Sequence, residues 1–183
     1  MDNQQERFSE GFNMGWLTCG IESEGHITLA WGRASEKTFQ IIPRVAIANM
    51  KEKYVQKAQE ISQKLGIGCY IEFDSGNGKR TPMYRISWQG FKRVKSLLEH
   101  ISQYLIIKSE QVRLVKEFID SRISVKSGSP YRKEDVDKFL AVRKLNGTKN
   151  ELPKHISEKI LRDYTLNTIK SDDIVHPTSN VVG

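Results

Sequence analysis

The chain has 183 residues, which suits a single domain and is too short for two domains of ordinary size. Apolar residues, counted without glycine, make up 38% of the sequence, which is enough for a packed core and excludes a wholly disordered chain. The net charge is +7. It rises to +9 for residues 1–170, because these residues hold all 29 Lys and Arg but 20 of the 22 Asp and Glu. Such an excess favours a polyanionic partner, although many basic proteins bind none.

We find no membrane segment or secretion signal in the sequence. No uninterrupted apolar run approaches the ~18–20 residues that cross a bilayer, and residues 1–6 lack the basic and apolar parts of a signal peptide. Cys19 and Cys69 are too few for a disulfide framework and lack zinc-site spacing, so both are expected to be reduced packing residues. We expect a soluble intracellular protein with no membrane partner. Bacterial or archaeal cytoplasm and an organelle all stay open as its compartment.

The first predicted element is a helix over residues 7–24, and two strands follow it. Gly25 is suited to ending this helix. Residues 26–31 and 40–49 then alternate with a period of two, which predicts strands with one buried face. Pro43 has no N–H group to donate, so it predicts an edge position or a bulge in the second strand. The large apolar side chains of the helix are Phe8, Phe12, Trp16, Leu17 and Ile21.

A second helix, a hairpin and further helices complete the domain. Helical spacing returns over residues 51–65, and residues 69–73 and 83–89 form a hairpin with a Gly-rich tip at 75–80. The order α-β-β-α-β-β-α predicts an α+β domain whose four antiparallel strands carry helices on one face and leave the other face open. Further helices are predicted at residues 91–101, 108–122, 136–145 and 156–166, with a linker at 124–133 and a frayed tail at 171–183.

The open face of this sheet would carry short and basic side chains. Arg matches guanine and Gln matches adenine in the major groove, so the face suits the readout of DNA bases. The same alternation also fits an ordinary solvated sheet face, and the spacing does not separate the two interpretations. The candidate residues are Thr28, Ala30, Gly32, Gln40, Arg44, Arg85, Ser87 and Gln89.

Small side chains recur on the first helix at Gly15, Cys19 and Ser23, four residues apart. Such a stripe lets two helix backbones approach closely, either two copies of this helix or this helix and another of the same chain. The stripe ends beside Glu22 and Glu24, at the helix end where the macrodipole disfavours negative charge. Two acids at this position cost stability unless a cation offsets them.

Residues 17–25, Leu-Thr-Cys-Gly-Ile-Glu-Ser-Glu-Gly, resemble the LAGLIDADG motif of homing endonucleases. Leucine, isoleucine, both acids and the final glycine match, with Glu in place of Asp twice. Thr18 and Cys19 stand where Ala and Gly are usual. The sequence contains no second copy of the motif in residues 26–183.

The resemblance covers about residues 8–147 without large gaps. Asn49 ends the second strand, where the family carries a polar residue, and residues 51–68 resemble its second helix. Residues 103–111 resemble its second signature, with Gln103 in place of proline. This implies the LAGLIDADG homing-endonuclease fold, with a four-stranded antiparallel DNA-binding saddle and additional C-terminal helices. The implied organisation is an endonuclease domain at residues 1–150, a helix packed on it at 151–170 and a disordered tail at 171–183.

The resemblance also implies an active site. Glu24, the second acid of the motif, would ligate Mg²⁺, for which Mn²⁺ can substitute, and Glu22 would fix the helix end by hydrogen bonds. Asn49 would hold a water near the metal, and Lys108 would stabilise the charge that develops on the phosphate. Lys53 is a further catalytic candidate that also fits a solvated helix lysine.

A single motif implies a homodimer in this family, joined through the stripe of Gly15, Cys19 and Ser23. The implied function is site-specific cleavage of both strands of a long, nearly palindromic DNA site, leaving short 3′ overhangs. Two alternatives stay open: an inactive relative that serves as an intron maturase or regulator, with intron RNA as a partner, and a regulatory domain without nucleic acid. The target site and the face of residues 69–74 that meets DNA also stay open. Further DNA contacts are expected at Arg33, Lys79, Arg80, Lys144 and Lys149.

Overall fold

The computed structural model describes residues 3–35, 38–78, 80–126 and 128–147, and it leaves out the side chains of 3–10, 33–35 and 38–39. The helix predicted at 156–166 and the tail predicted at 171–183 lie outside these residues. The proposed division of the chain at residue 150 therefore stays a prediction.

The predicted element order is confirmed, with small shifts in the bounds. The motif helix begins earlier than expected, and the helix predicted at 136–145 begins three residues earlier, at Lys133. No described helix combines the length and the apolar character that crossing a membrane requires. The elements are α1 (Asn3–Ser23), β1 (Gly25–Ser35), β2 (Thr38–Asn49), α2 (Glu52–Lys64), β3 (Tyr70–Asp74), β4 (Met83–Gln89), α3 (Phe91–Ile101), α4 (Ser109–Ile123) and α5 (Lys133–Leu145).

The four strands form one antiparallel sheet in the order β1-β2-β4-β3, so the edge position predicted for the second strand is wrong. The ladder between β2 and β4 begins at Arg44, which pairs with Gln89, and Pro43 lies one residue beyond it. The Pro43 carbonyl accepts a hydrogen bond from the Gly90 N–H at 3.0 Å, on the side where β4 has already ended. Because Pro43 needs no partner for an N–H there, a central strand tolerates it at this position.

The core lies between the helices and one face of the sheet. The alternation predicted this face correctly for β1 and β2, where Ile27, Leu29, Val45 and Ile47 are all buried. Helical spacing was a poorer guide to the first helix, because Phe12 is 61% exposed. A helix needs only part of its circumference for the core, so a further apolar side chain can point to solvent or to a partner.

The segment predicted as a linker ties α5 to the rest of the domain. The Asp135 carboxylate, 1% exposed, lies 3.3 Å from Nη1 of Arg122. The Tyr131 hydroxyl accepts a hydrogen bond from the Ile41 N–H of β2 at 2.7 Å, and the Asn146 amide donates to a carbonyl of β1 at 2.9 Å. These contacts satisfy backbone groups of β1 and β2 that no neighbouring strand reaches, and so they support the frame of the open face.

Candidate nucleic-acid interface and catalytic site

Strand pairing fixes which side chains share the open face. Thr28, Arg44 and Gln89 stand side by side across β1, β2 and β4, because Arg44 pairs with both of the others. On the outer side, Glu72 of β3 pairs with Arg85 of β4. Directly opposed residues of antiparallel strands point to the same face. The register therefore places Tyr70, Glu72 and Asp74 on the face of Arg85, which the sequence left open.

Most of the predicted DNA contacts lie on this face with partly or fully exposed side chains, but Ser87 does not fit. Ser87 has the right orientation, yet it is only 1% exposed. It lies between Ala46 and Tyr70 on the neighbouring strands, and the alternation gave no sign of this burial. A side chain so enclosed is not placed to contact a DNA base, which contradicts the contact predicted for Ser87. The accessible residues are Thr28, Ala30, Gly32, Gln40, Arg44, Arg85 and Gln89.

The remaining predicted contacts divide into two groups. Arg80 and Lys144 are exposed, at the hairpin tip and in the last turn of α5. Lys79, Lys149 and the side chain of Arg33 lie outside the described residues.

A histidine that sequence reasoning passed over lies among cations on the open face. His26 shares this face with Thr28 because it has the same parity in β1, and that parity was a signal the sequence already offered. Burial lowers the pKa of His26, and the positive charges of Arg44, Arg85 and Lys108 lower it further. The Arg44 Nε is buried and has no hydrogen-bond partner among the described residues. The cations gathered around His26 make this end of the face attractive to an anion.

The end of α1 and the start of α4 hold each other through complementary charges. The Glu22 carboxylate accepts hydrogen bonds from the N–H groups of Ile106 at 2.7 Å, Ile107 at 3.1 Å and Lys108 at 3.3 Å. In return, the Lys108 ammonium donates to the carbonyl of Ile21 at 2.7 Å and to that of Glu22. An anion at a helix start and a cation at a helix end both complement the macrodipole. Lys108 thus places a cation at the end of α1, where its charge acts on Glu22.

Glu24 lies at the point where α1 gives way to β1, and its side chain is exposed. Its N–H still donates to the Gly20 carbonyl at 3.0 Å, but no described residue forms a hydrogen bond or ion pair with its carboxylate. A Cβ on Gly25 would lie 2.8 Å from the Ile21 Cα and 3.0 Å from the Ala46 carbonyl oxygen. Only glycine therefore allows the chain to pass directly from helix to strand, which brings a free carboxylate to the edge of the open face.

Asn49 makes a local hydrogen bond, and Lys53 makes none among the described residues. The Asn49 Oδ1 accepts a hydrogen bond from the Lys51 N–H at 2.8 Å, which shapes the turn into α2 and leaves the Nδ2 donors for other partners. Lys53 is exposed in the first turn of α2, and no described hydrogen bond or ion pair involves it. Tyr54 of α2 lies against α1, since a Cβ on Gly20 would lie 2.6 Å from its hydroxyl. Burial raises the pKa of Tyr54, and Cys19 and Glu24 raise it further.

The end of α1 and the start of β1, with Glu22, Glu24 and the Lys108 side chain that binds the end of α1, form a junction. Its donor groups suit a hard divalent cation only in part. No group of three or more His, Cys, Asp and Glu among the described residues could hold a metal ion. The Glu22 carboxylate is already engaged by three N–H groups, which leaves Glu24 as the free carboxylate. Mg²⁺ is commonly bound by one or two carboxylates together with substrate phosphates and waters. Within the part of the chain that the structure describes, the end of α1 therefore offers one free carboxylate of the right chemistry, and substrate phosphates and waters would complete the set.

The helix-led α-β-β-α-β-β-α order, with an open antiparallel sheet behind the motif, defines the LAGLIDADG homing-endonuclease fold, and comparison with solved structures agrees. The homing endonuclease I-CvuI, in complex with the I-CreI target, has a TM-score of 0.61 at 17% identity, over 80% of this chain and 88% of its own. The archaeal intron-encoded I-Vdi141I, complexed with DNA, has a TM-score of 0.60 at 16% identity, over 90% of this chain and 99% of its own.

A longer protein has the same fold. The LAGLIDADG homing endonuclease I-GzeII, in complex with its DNA target, has a TM-score of 0.55 at 14% identity, over 82% of this chain but 50% of its own. The sequence matches no family model and no curated protein. These similarities establish the fold of this chain. Its function is inferred from the chemistry of its own residues.

Proposed function

We propose that this protein is a site-specific DNA endonuclease that cuts both strands of a long, nearly palindromic site by metal-dependent hydrolysis and leaves short 3′ overhangs. One observation carries the proposal: an exposed carboxylate, Glu24, directly follows the end of α1 that the Lys108 ammonium binds, and the Lys108 charge also acts on His26 of the open face. A duplex on that face would bring a phosphate to the junction of α1 and β1. The neighbours I-CvuI and I-Vdi141I were both solved with DNA, which supports the substrate class.

Each residue of the junction has a distinct task in this mechanism. Glu24 would hold Mg²⁺ or Mn²⁺, which when bound would acidify a water and stabilise charge on the cleaved phosphate. Lys108 uses two of its three N–H donors on the end of α1, and the third can meet the negative charge that develops on the phosphate. The free Nδ2 of Asn49 can hold a water. The exposed side chain of Lys53 would take part in cleavage through a contact to the DNA backbone.

The open face would read the target. Arg44 and Arg85 can each donate two hydrogen bonds to a guanine, and Gln40 and Gln89 can pair in the same way with adenine. Arg80 and Lys144, outside the centre of the face, suit contacts to phosphates, which position the duplex without reading it. Binding should therefore combine a base preference with a strong dependence on salt.

A second copy of the chain is the partner that the motif helix suits. Gly15, Cys19 and Ser23 are all exposed, so the stripe is not covered by other described helices. Beside it lies a groove of about 360 Å³ whose lining includes Thr18, 4% exposed, with an Oγ1 that has no hydrogen-bond partner among the described residues. Exposed apolar side chains border the stripe, which favours burial against a protein surface. They are Phe12, 61% exposed, Tyr104, 48%, Ile106, 83%, and Ile107, 79%.

The share of each structural neighbour that this chain covers supports a chain that pairs with a second copy. This chain covers 88% of I-CvuI and 99% of I-Vdi141I, but 50% of I-GzeII and 48% of I-AabMI. A nearly palindromic target follows if two copies act together, because two-fold protein symmetry is matched by two-fold symmetry in the DNA.

Cys19→Leu is expected to weaken the homodimer and to slow cleavage. The larger side chain would hold the two motif helices apart and would shift both copies of Glu24 away from their phosphates. Size-exclusion chromatography with light scattering measures the dimer, and single-turnover cleavage measures the activity. Gln63→Leu adds the same side chain to the exposed surface of α2 and should change neither. A wild-type protein that stays monomeric at micromolar concentration, with and without DNA, contradicts the dimer.

Cleavage of supercoiled plasmids that carry a randomised target library tests the function directly. We expect linear product with Mg²⁺ or Mn²⁺ and none with EDTA. Salt-sensitive duplex binding without cleavage in any of these metals would instead favour an inactive maturase or regulator, and intron RNA would then be tested as the ligand. Absence of any salt-sensitive binding to DNA or RNA would favour a regulatory domain without nucleic acid.

A further inference from the structure

We propose that Glu72 of β3 is a positioning residue that orients Arg85 for guanine and so sets part of the sequence specificity. The inference rests on the proposed function, since it assumes that the open face binds duplex DNA. It concerns a residue that is itself acidic, on a face otherwise suited to a polyanion.

The contact between the two side chains leaves the arginine able to read a base. Glu72 and Arg85 stand directly opposite each other on β3 and β4, and Oε2 of Glu72 lies 3.5 Å from Nη1 of Arg85. Both side chains are accessible, at 57% and 37% exposure respectively. The guanidinium has five N–H donors, and this contact uses one end of it. Enough donors remain for the bidentate contact to O6 and N7 of guanine.

The charges around Arg85 give this carboxylate a particular role. On the β2 side, Arg85 faces Ala48, which offers neither charge nor hydrogen bond through its side chain. The charges of Arg44, Arg85 and Lys108 all act on His26, so other cations lie nearby. Among the described residues, Glu72 is the anion within ion-pair distance of Arg85. Glu72 therefore draws the guanidinium toward β3, and an arginine already restrained loses less side-chain entropy when it binds a base.

The neighbouring ion pair on β3 shows why Glu72 is the better candidate. Asp74 lies 3.8 Å from Arg80, but its Oδ1 also accepts a hydrogen bond from the Gly76 N–H at 2.9 Å and so shapes the hairpin turn. The Glu72 carboxylate has no such backbone contact among the described residues. Its removal should therefore change the arginine and leave the strand intact.

A carboxylate on a DNA-binding face has a second effect, which distinguishes specificity from affinity. It repels phosphates of every sequence, so it lowers binding to DNA in general. Loss of Glu72 should consequently raise affinity for unrelated DNA while it reduces discrimination at one base pair. Loss of Arg85 should lower the affinity for unrelated DNA and also the discrimination at that base pair.

The test compares base preferences of the full-length protein, selected from a randomised duplex library in Ca²⁺. Arg85→Ala should reduce the preference at one base pair of each half-site by about 5- to 150-fold. Glu72→Gln, which keeps the size and removes the charge, should reduce the preference at that same pair by about 2- to 5-fold. The double variant should match Arg85→Ala. Glu110→Gln removes an acid from another exposed arginine pair, with Arg113 on α4, and should leave the profile unchanged.

Three outcomes would overturn the inference. The Glu72→Gln profile equals that of the wild type; the two single variants change different base pairs; or Glu72→Gln lowers affinity for unrelated DNA as Arg85→Ala does. In each of these the wild type still shows a base preference, and the proposed function stands. A wild type that binds no duplex overturns the proposed function together with the inference.

Discussion

Glu24→Gln is expected to bind its DNA target and to leave it uncut. The substitution keeps the size of the side chain and removes the charge, and a neutral amide is a far weaker ligand for Mg²⁺ than a carboxylate. Glu24 is the free carboxylate of the junction, because the Glu22 carboxylate is engaged by the N–H groups that lead into α4. Single-turnover cleavage in Mg²⁺ measures the loss, and binding in Ca²⁺ or EDTA measures what remains.

Two controls separate this result from a folding defect. Glu60→Gln makes the same change in an exposed ion pair of α2, with Lys57, and should cleave at the wild-type rate. The melting temperature of Glu24→Gln should not fall below that of the wild type, since no described hydrogen bond involves its carboxylate and the macrodipole disfavours a negative charge at this helix end. Cleavage by Glu24→Gln at the wild-type rate would contradict the mechanism.

The fold could be predicted from the sequence to the extent that it depends on periodicity. The alternation in β1 and β2 predicted which residues face the core, because successive side chains of a strand point to opposite faces. Strand order has no such local signal, and the position of β2 between β1 and β4 therefore contradicted the inference from Pro43. For the same reason the face of β3 became known only from its pairing with β4.

The candidate site was predictable as residue types and not as contacts. The motif at residues 17–25 pointed to Glu24 and the second signature at 103–111 to Lys108, but the hydrogen bonds of Glu22 join residues 84–86 positions apart in the chain. Periodicity in the sequence does not predict a contact between residues so far apart. Such a contact is inferred from a family resemblance or observed in a structure. The burial of Ser87 shows the converse limit, since alternation assigns a side chain to a face without showing what lies over it.

Lys108→Met is expected to slow cleavage by about 10²–10³-fold, which corresponds to the ~2.7–4 kcal/mol that one donor to a developing charge typically contributes. The side chain has two roles in the structure, since it also donates to the carbonyls of Ile21 and Glu22 at the end of α1. Burial lowers the pKa of Lys108, while the Glu22 carboxylate opposes this shift. Because the two hydrogen bonds to these carbonyls hold the ammonium in place, its third N–H donor is already oriented before DNA binds.

The measurement has to separate the two roles of Lys108. Loss of its helix-end contacts should lower the melting temperature, whereas loss of the third donor should lower the single-turnover rate at saturating protein and leave binding in Ca²⁺ unchanged. Lys108→Arg keeps the charge and the helix-end contacts within reach, so it should recover most of the melting temperature but less of the rate, because the planar guanidinium presents its donors differently. Lys64→Met, at an exposed position in the last turn of α2, is the matched control and should cleave as the wild type does. Lys53→Met tests the second lysine: unchanged cleavage removes Lys53 from the site. A Lys108→Met variant that binds and cuts as the wild type does would exclude Lys108 from catalysis.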